Sequence, residues 1–171
     1  MTELFMIRCE MARFPYHRLP SEFAFQDLVC DVCMHLLGEG LERFPKGKDG
    51  GRDARFSGKA NRFPSDTDPL SGKFIIQAKW TGNESAPYAD AAFQRILKQE
   101  EVPKAKKLKD SGELEHWIII SNRRKHAISA TKLEKELLDA VGCKSVHLRG
   151  VDELDAWLKH LPLLVRSYNL E

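Results

Sequence analysis

Apolar positions first repeat with helical spacing in the segment that follows Pro20. Ser21 is a helix N-cap candidate, and apolar residues then recur at every third or fourth position until Gly38 ends the pattern. Asp27 and Asp31 occupy the polar side, and Gln26 lies at the edge of the apolar stripe near the helix N-terminus. The stripe consists of Phe25, Leu28, Val29, Val32, Cys33, Leu36 and Leu37. This pattern predicts an amphipathic helix.

Strand patterns alternate with helical patterns along the rest of the chain. Strands are predicted at 41–44, 52–58, 73–80, 116–122 and 144–150. Helices are predicted at 86–101, at 129–142 and, as the last helix, at 151–161. The first of these is expected to stop or kink at Pro103 and to be followed by a lysine-rich helical turn or two. The glycine-rich segment 47–51 is expected to be a turn and 59–72 a surface loop.

This order of elements predicts an α/β fold with a central β-sheet flanked by helices. The chain opens as helix, strand, strand, strand with hairpin-like connections, so we expect a mixed rather than a purely parallel sheet. The continuous apolar run in "KFIIQAKW" favours a central strand that is covered on both faces.

Composition narrows the class of protein without assigning a function. A length of 171 residues suits one domain. The chain has no run of about 18 apolar residues, so no transmembrane helix is expected. Its first residues lack a basic start followed by an apolar core, so we expect no signal peptide and a cytoplasmic location. Cys30 and Cys33 form a CxxC without a second pair, which favours packed, free thiols over a zinc site.

The net charge of +2 does not by itself indicate a nucleic-acid-binding protein. Two local basic clusters, 104–109 and 123–126, change the picture. Each is compatible with a solvated surface and with a phosphate-contacting surface.

The residues with the clearest chemical potential are Asp53, Gln77 and Lys79. Side chains alternate along a strand, so Gln77 and Lys79 point to the same face, and pairing of the second and third strands brings Asp53 near Gln77. A carboxylate and an amide oxygen suit Mg²⁺ or Mn²⁺, and the ammonium can orient or deprotonate an attacking water. The alternative is a plain salt bridge between Lys79 and Asp53, with Gln77 bonded to a backbone group.

The segments "FQDLVCDVC", "GKDGGRDARF" and "GKFIIQAKW" resemble, in this order, the Mrr-type branch of the PD-(D/E)xK nucleases. That restriction-endonuclease-like superfamily shows a helix with an F-E/Q-x-L-V start, a D-G-G-x-D turn and a Q-x-K strand. The matching elements span Phe25 to Lys79, and the later strands and the last predicted helix are compatible. The resemblance implies a restriction-endonuclease-like fold and hydrolysis of phosphodiester bonds in double-stranded DNA.

The resemblance also implies roles for individual residues. Asp53 matches the metal-binding aspartate, Gln77 the second metal ligand and Lys79 the catalytic lysine. The backbone carbonyl of Ala78 is expected as a further ligand of Mg²⁺ or Mn²⁺, and Gln26 matches a position on the first helix that can assist the site. Two of these side chains are neutral amides, which predicts weak metal binding that DNA phosphate completes.

Several further expectations concern partners. Lys48 and Arg52 would flank the active site and touch DNA phosphates, as would Arg123, Arg124 and Lys125; Asp49 is expected to shape the turn. Residues 1–171 would form a single nuclease-like domain with an arm at about residues 1–20. The resemblance extends to N-terminal effector domains of larger bacterial anti-phage defence proteins, in which a sensor or NTPase region follows. Such modules act as dimers or higher homo-oligomers.

Two other classes of protein stay open. The neutral glutamines are compatible with a catalytically inactive, nuclease-fold DNA-binding module. The basic clusters are equally compatible with a protein-interaction module that has no affinity for DNA.

Overall fold

The computed structural model describes residues 13–46 and 52–171. The helices are α1 (Glu22–Leu36), α2 (Ala91–Ile96), α3 (Val102–Asp110), α4 (Ala127–Val141), α5 (Val151–Leu158) and α6 (Pro162–Ser167). A 3₁₀ turn covers Tyr16–Arg18, and a π-helical turn, Leu97–Glu101, joins α2 to α3. The strands are β1 (Glu42–Arg43), β2 (Ala54–Lys59), β3 (Ser71–Lys79), β4 (His116–Ser121) and β5 (Ser145–Arg149).

The five strands form one mixed sheet in the order β1-β2-β3-β4-β5. β1 pairs with β2 and β2 with β3 in antiparallel orientation, whereas β3 pairs with β4 and β4 with β5 in parallel. The predicted α/β class, the mixed sheet and the central position of the third strand are therefore confirmed.

Alternate residues of the central strands build two separate cores. Phe74 and Ile76 face the core that contains the buried side of α1 together with α5 and Val165 of α6. Ile75 and Trp117 face the core that contains α3, α4 and Leu97. Both faces of β3 are covered, which explains why its sequence is apolar without alternation.

Helix α1 forms as its sequence pattern predicts. The Ser21 hydroxyl accepts a hydrogen bond from the Ala24 backbone N–H at 3.3 Å, so the predicted N-cap is confirmed. All seven residues of the predicted apolar stripe are buried. Cys30 and Cys33 are free thiols in the core, and burial raises the pKa of Cys30 to about 12, so this thiol is unreactive at neutral pH.

The structure differs from the predicted elements at two connections. The helical segment passes Pro103 without a stop, because the π-helical turn precedes it and Pro103 lies in the first turn of α3, where a missing N–H costs least. The expected surface loop at 59–72 is partly buried, since Phe63 is only 1% exposed.

Segments at both ends of the described chain pack against the rest of the domain, and the sequence did not predict this packing. The last predicted helix is followed by α6, in which Pro162 occupies the first turn. Part of the expected N-terminal arm packs on the domain: Tyr16 is 2% exposed, and its hydroxyl donates a hydrogen bond of 2.7 Å to Asp155. Among the described residues, no helix is both long and apolar enough to cross a membrane.

A polar chain of three side chains joins the first residues of β4 and β5. The Ser145 hydroxyl lies 2.6 Å from His116 Nδ1 and 2.8 Å from His147 Nε2, and His116 Nε2 lies 2.9 Å from the Ser71 carbonyl oxygen. A carbonyl only accepts, so His116 Nε2 carries a proton. Burial, with Arg149 and His116 nearby, lowers the pKa of His147 from 6.5 to about 4.

We predict that His147 makes the protein less stable in mild acid. Between pH 6.5 and about 4, the unfolded chain binds a proton at His147 that the folded protein does not, so stability falls as the pH falls through this window. His147→Gln should remove on the order of 1–2 kcal/mol of that loss. The measurement is the free energy of unfolding in urea from pH 7 to pH 4. The exposed His160→Gln serves as the control and should keep the wild-type pH profile.

Candidate functional site

The central strand extends beyond its antiparallel neighbour. The last residue pair between β2 and β3 is Ala54 with Ile76, and the Asp53 backbone N–H donates to the Ile76 carbonyl at 2.9 Å. β3 continues to Lys79. A cleft opens at this end of β3, which is paired with β4 on one side but extends past β2 on the other.

The cleft has a volume of about 290 Å³. It is lined by Glu22, Phe23, Gln26, Asp53, Gln77, Ala78, Lys79, Trp80, Glu101 and Lys104. The five residues that the sequence assigned to catalysis and metal binding therefore line one cavity. Glu101, which was not predicted as a site residue, and Lys104, which belongs to the basic cluster at 104–109, also line it.

Asp53 is held at the edge of β3 by the main chain. One of its carboxylate oxygens accepts a hydrogen bond of 2.7 Å from the Ala78 backbone N–H. Within a β-strand, the N–H and C=O of one residue point toward the same neighbouring strand. The Ala78 carbonyl therefore lies on the same side of β3 as the Asp53 carboxylate, and both residues line the cleft.

Gln77 is almost fully buried, and both ends of its amide are hydrogen-bonded. The amide nitrogen donates to a carboxylate oxygen of Glu101, and the amide oxygen accepts from the Trp117 indole N–H at 3.2 Å. The indole N–H can only donate, which fixes the orientation of the amide. The metal-ligand role of Gln77 stays a prediction, and it requires the amide oxygen to leave Trp117.

Glu101 is the buried charge of the site. Its side chain is only 4% exposed and accepts a hydrogen bond of 2.8 Å from Lys79, while the Lys104 ammonium lies 3.6 Å away. Burial by itself raises the pKa of this carboxyl, but the charge of Lys79 and the hydrogen bonds from Lys79 and Gln77 lower it, and the net shift is downward. Glu101 is therefore ionised at neutral pH.

A sequence signal for Glu101 exists in the spacing of its helix. Phe93, Leu97, Ala105 and Leu108 are buried against the sheet. Glu101 lies four residues after Leu97 and four before Ala105, so it occupies a core position of the same stripe. A carboxylate at such a position indicates a buried polar partner. The π-helical turn that ends at Glu101 is the type of irregularity often found at functional sites.

The structure also decides the partner of Lys79. Its ion pair is with Glu101 on the helix, and not the salt bridge with Asp53 that the sequence left open. Gln26 lines the cleft from α1, as its predicted position at the helix edge implies. Trp80 closes the cleft from the side, with its indole N–H bonded to the Tyr16 carbonyl oxygen at 2.8 Å.

The predicted DNA-contacting residues are not grouped around the cleft. Arg123 lies over the Phe93 ring with its guanidinium carbon 4.2 Å from the ring centroid, and Lys125 pairs with Glu153. Arg52 donates to Glu113 at 2.8 Å. Arg124 is exposed. Lys48 and Asp49, with the glycines of the predicted turn, lie outside the described residues.

The oxygen donors of the cleft fit a hard divalent cation held by few protein ligands. Asp53 and the Ala78 carbonyl are on one side of β3, Glu101 approaches from the helix, and neither histidine nor cysteine lines the cavity. Mg²⁺ is commonly bound through one or two carboxylates, with water and substrate phosphate completing its shell. In the described parts of the chain, no group of three or more His, Cys, Asp or Glu side chains is placed to hold a metal ion alone.

No protein-family model, curated protein or solved structure matches the chain. Its function is therefore argued from the side chains of the cleft.

We predict that the Glu101–Lys79 pair couples β3 to the helix. Glu101→Gln should lower the free energy of unfolding at pH 7 by about 2–4 kcal/mol, because it leaves Lys79 without its buried partner. The stabilisation by Glu101 is present above its unfolded pKa near 4.5 and is lost as the pH falls through the lower folded pKa. Denaturant unfolding at pH 7 and in a series down to pH 3 measures both effects.

A double-mutant cycle with Lys79→Met separates this coupling from general damage. The matched control is the pair of Lys98 and Glu136, whose side chains are 44% and 37% exposed, so a much smaller coupling is expected. Equal coupling energies in the two cycles would contradict the assignment.

Proposed function

We propose that the chain is a metal-dependent DNA endonuclease domain that hydrolyses phosphodiester bonds of double-stranded DNA. The observation that carries the proposal is the cleft at the end of β3, where Asp53, Lys79 and Glu101 come together from a loop, a strand and a helix. The resemblance of the three sequence segments to the Mrr-type PD-(D/E)xK nucleases supports the same activity and a place in bacterial anti-phage defence or restriction. Assembly into a dimer or larger homo-oligomer rests on that resemblance.

In this proposal Asp53 and the Ala78 carbonyl hold Mg²⁺ or Mn²⁺, with Gln77 or Glu101 as the further oxygen donor. The bound metal would polarise the scissile phosphate and lower the pKa of a water. Lys79 approaches from the same strand, and its ammonium would orient the attacking water and offset negative charge in the transition state. Glu101 keeps the ammonium in position through the 2.8 Å hydrogen bond.

The hydrogen bonds of Gln77 favour one alternative, a nucleic-acid-binding module that does not cut. Its amide oxygen is bonded to Trp117 and its amide nitrogen to Glu101, while Glu101 is also bonded to Lys79. In this arrangement both oxygens of Glu101 and the amide oxygen of Gln77 are already hydrogen-bonded within the protein. A module of this type would bind DNA equally well with and without a divalent cation.

We predict that purified protein nicks supercoiled plasmid in Mg²⁺ or Mn²⁺ and not in EDTA. Asp53→Asn and Lys79→Met should each reduce the nicking rate by about 100-fold or more, because the first removes a metal ligand and the second the cation that acts on the water. Agarose gels give the rates, and circular dichroism checks that each variant is folded.

Lys59→Gln is the matched control, since Lys59 is exposed at the opposite end of β2, about 20 Å along the strand from Asp53. It should cut at the wild-type rate. Nicking that is the same in wild type, Asp53→Asn and Lys79→Met would refute the catalytic assignment. Metal-independent DNA binding without any nicking would favour the inactive module.

A further inference from the structure

Two lysines of α3, Lys104 and Lys107, are exposed and are not held by a close ion pair within the described fold. Arg123 and Lys125, by contrast, are engaged with Asp90 and Glu153 inside the fold. Lys107 is exposed and forms no ion pair with any described residue. The side chain of Lys104 is 47% exposed.

Lys104 has only a partly compensated charge. Its ammonium lies 3.6 Å from the same Glu101 oxygen that already accepts the closer hydrogen bond from Lys79, and the other Glu101 oxygen accepts from Gln77. One carboxylate therefore faces two lysines, and the charge of Lys104, the farther of the two, is only partly compensated. Glu22 and Asp53 also line the cleft, so the uncompensated positive charge belongs to the exposed side of α3 and not to the cleft as a whole. A partly compensated cation on an exposed helix side attracts an anion.

Lys107 continues this charge away from the cleft. Residues three apart on a helix lie on the same side, and the rise between them is about 4.5 Å. That rise is comparable with the spacing of charges along a nucleic-acid strand, about 3.4 Å per nucleotide in the duplex. Lys104 and Lys107 can therefore contact successive phosphates of one strand.

We infer that the side of α3 that carries Lys104 and Lys107 binds the phosphate backbone of a DNA strand and leads it into the cleft. We therefore assign the DNA contact to this side of α3 and not to the predicted cluster at 123–126, because Arg123 and Lys125 of that cluster are engaged in internal contacts. The inference rests on the proposed function only for the type of ligand, because the same side of α3 could bind DNA in a module that does not cut it.

The test is the binding of a fluorescein-labelled DNA duplex of about 30 bp in EDTA, measured by fluorescence anisotropy. The salt concentration is varied from about 50 to about 200 mM, a range over which binding through phosphate contacts weakens strongly. The variant Lys104→Gln/Lys107→Gln should bind at least about 10-fold more weakly at low salt. Its slope of log K against log salt should be smaller by about 2, since two phosphate contacts are lost. The single strand of the same length, run in parallel, shows whether a duplex is required.

The charge-matched control is Lys59→Gln/Arg62→Gln, in which two exposed cations at the far end of β2 are removed. It should bind within about 2-fold of wild type. Equal losses in the two double variants would overturn the inference, as would wild-type affinity in the Lys104/Lys107 variant or no DNA binding by the wild-type protein.

Plasmid nicking distinguishes failure of this inference from failure of the proposed function. If the wild-type protein nicks DNA and Lys104→Gln/Lys107→Gln binds DNA as tightly as wild type, only the inference that α3 binds the DNA strand is rejected. Binding that depends on these lysines without nicking rejects only the endonuclease.

Discussion

The site depends on one buried charge, the carboxylate of Glu101. A carboxylate in a protein interior is costly unless it is paired and fully hydrogen-bonded. Lys79 and Gln77 of β3 supply these contacts, and Gln77 is held in turn by Trp117 of β4. Every buried side-chain nitrogen and oxygen in the described residues has a hydrogen-bond partner. The end of β3, its neighbour strand and the π-helical turn are therefore positioned as one unit.

Glu101 and Asp53, two of the three carboxylates among the described residues that line the cleft, have different environments. Glu101 is stabilised by cations, so its charge is largely neutralised. One oxygen of Asp53 accepts a hydrogen bond from the backbone N–H of Ala78, a neutral donor that lowers the energy of the charge. The position of Asp53 follows from the sheet, because β2 begins only at Ala54, and Asp53, just before it, reaches the backbone of the β3 residues beyond the paired part. In the proposed nuclease, Asp53 would bind the metal ion at the edge of β3, and Glu101 would hold Lys79 in the same cavity.

The parts of the fold that were predicted are those with a strict local pattern. The α1 stripe repeats with helical spacing between a serine cap and a glycine, and β3 and β4 are continuous apolar runs, so burial alone specifies them. The helix was predicted to stop or kink at Pro103, and it does not stop there, because the effect of the missing N–H depends on the turn in which the proline lies. Phe63 and α6 were missed because their burial comes from distant contacts and not from any local period.

The sequence alone determined that Gln77 and Lys79 share a face of a central strand, since side-chain alternation is a property of the backbone. It also predicted that Asp53 belongs to the neighbouring strand at 52–58, whereas in the structure Asp53 directly precedes β2. Only the tertiary structure decided which groups they meet: Gln77 bonds to Glu101, 24 residues later, and to Trp117, 40 residues later. Likewise, Arg123 and Lys125 look like surface cations in the sequence but have internal partners in the fold. Hydrogen bonds and ion pairs between distant segments have no local period, so they become visible only when packing brings those segments together.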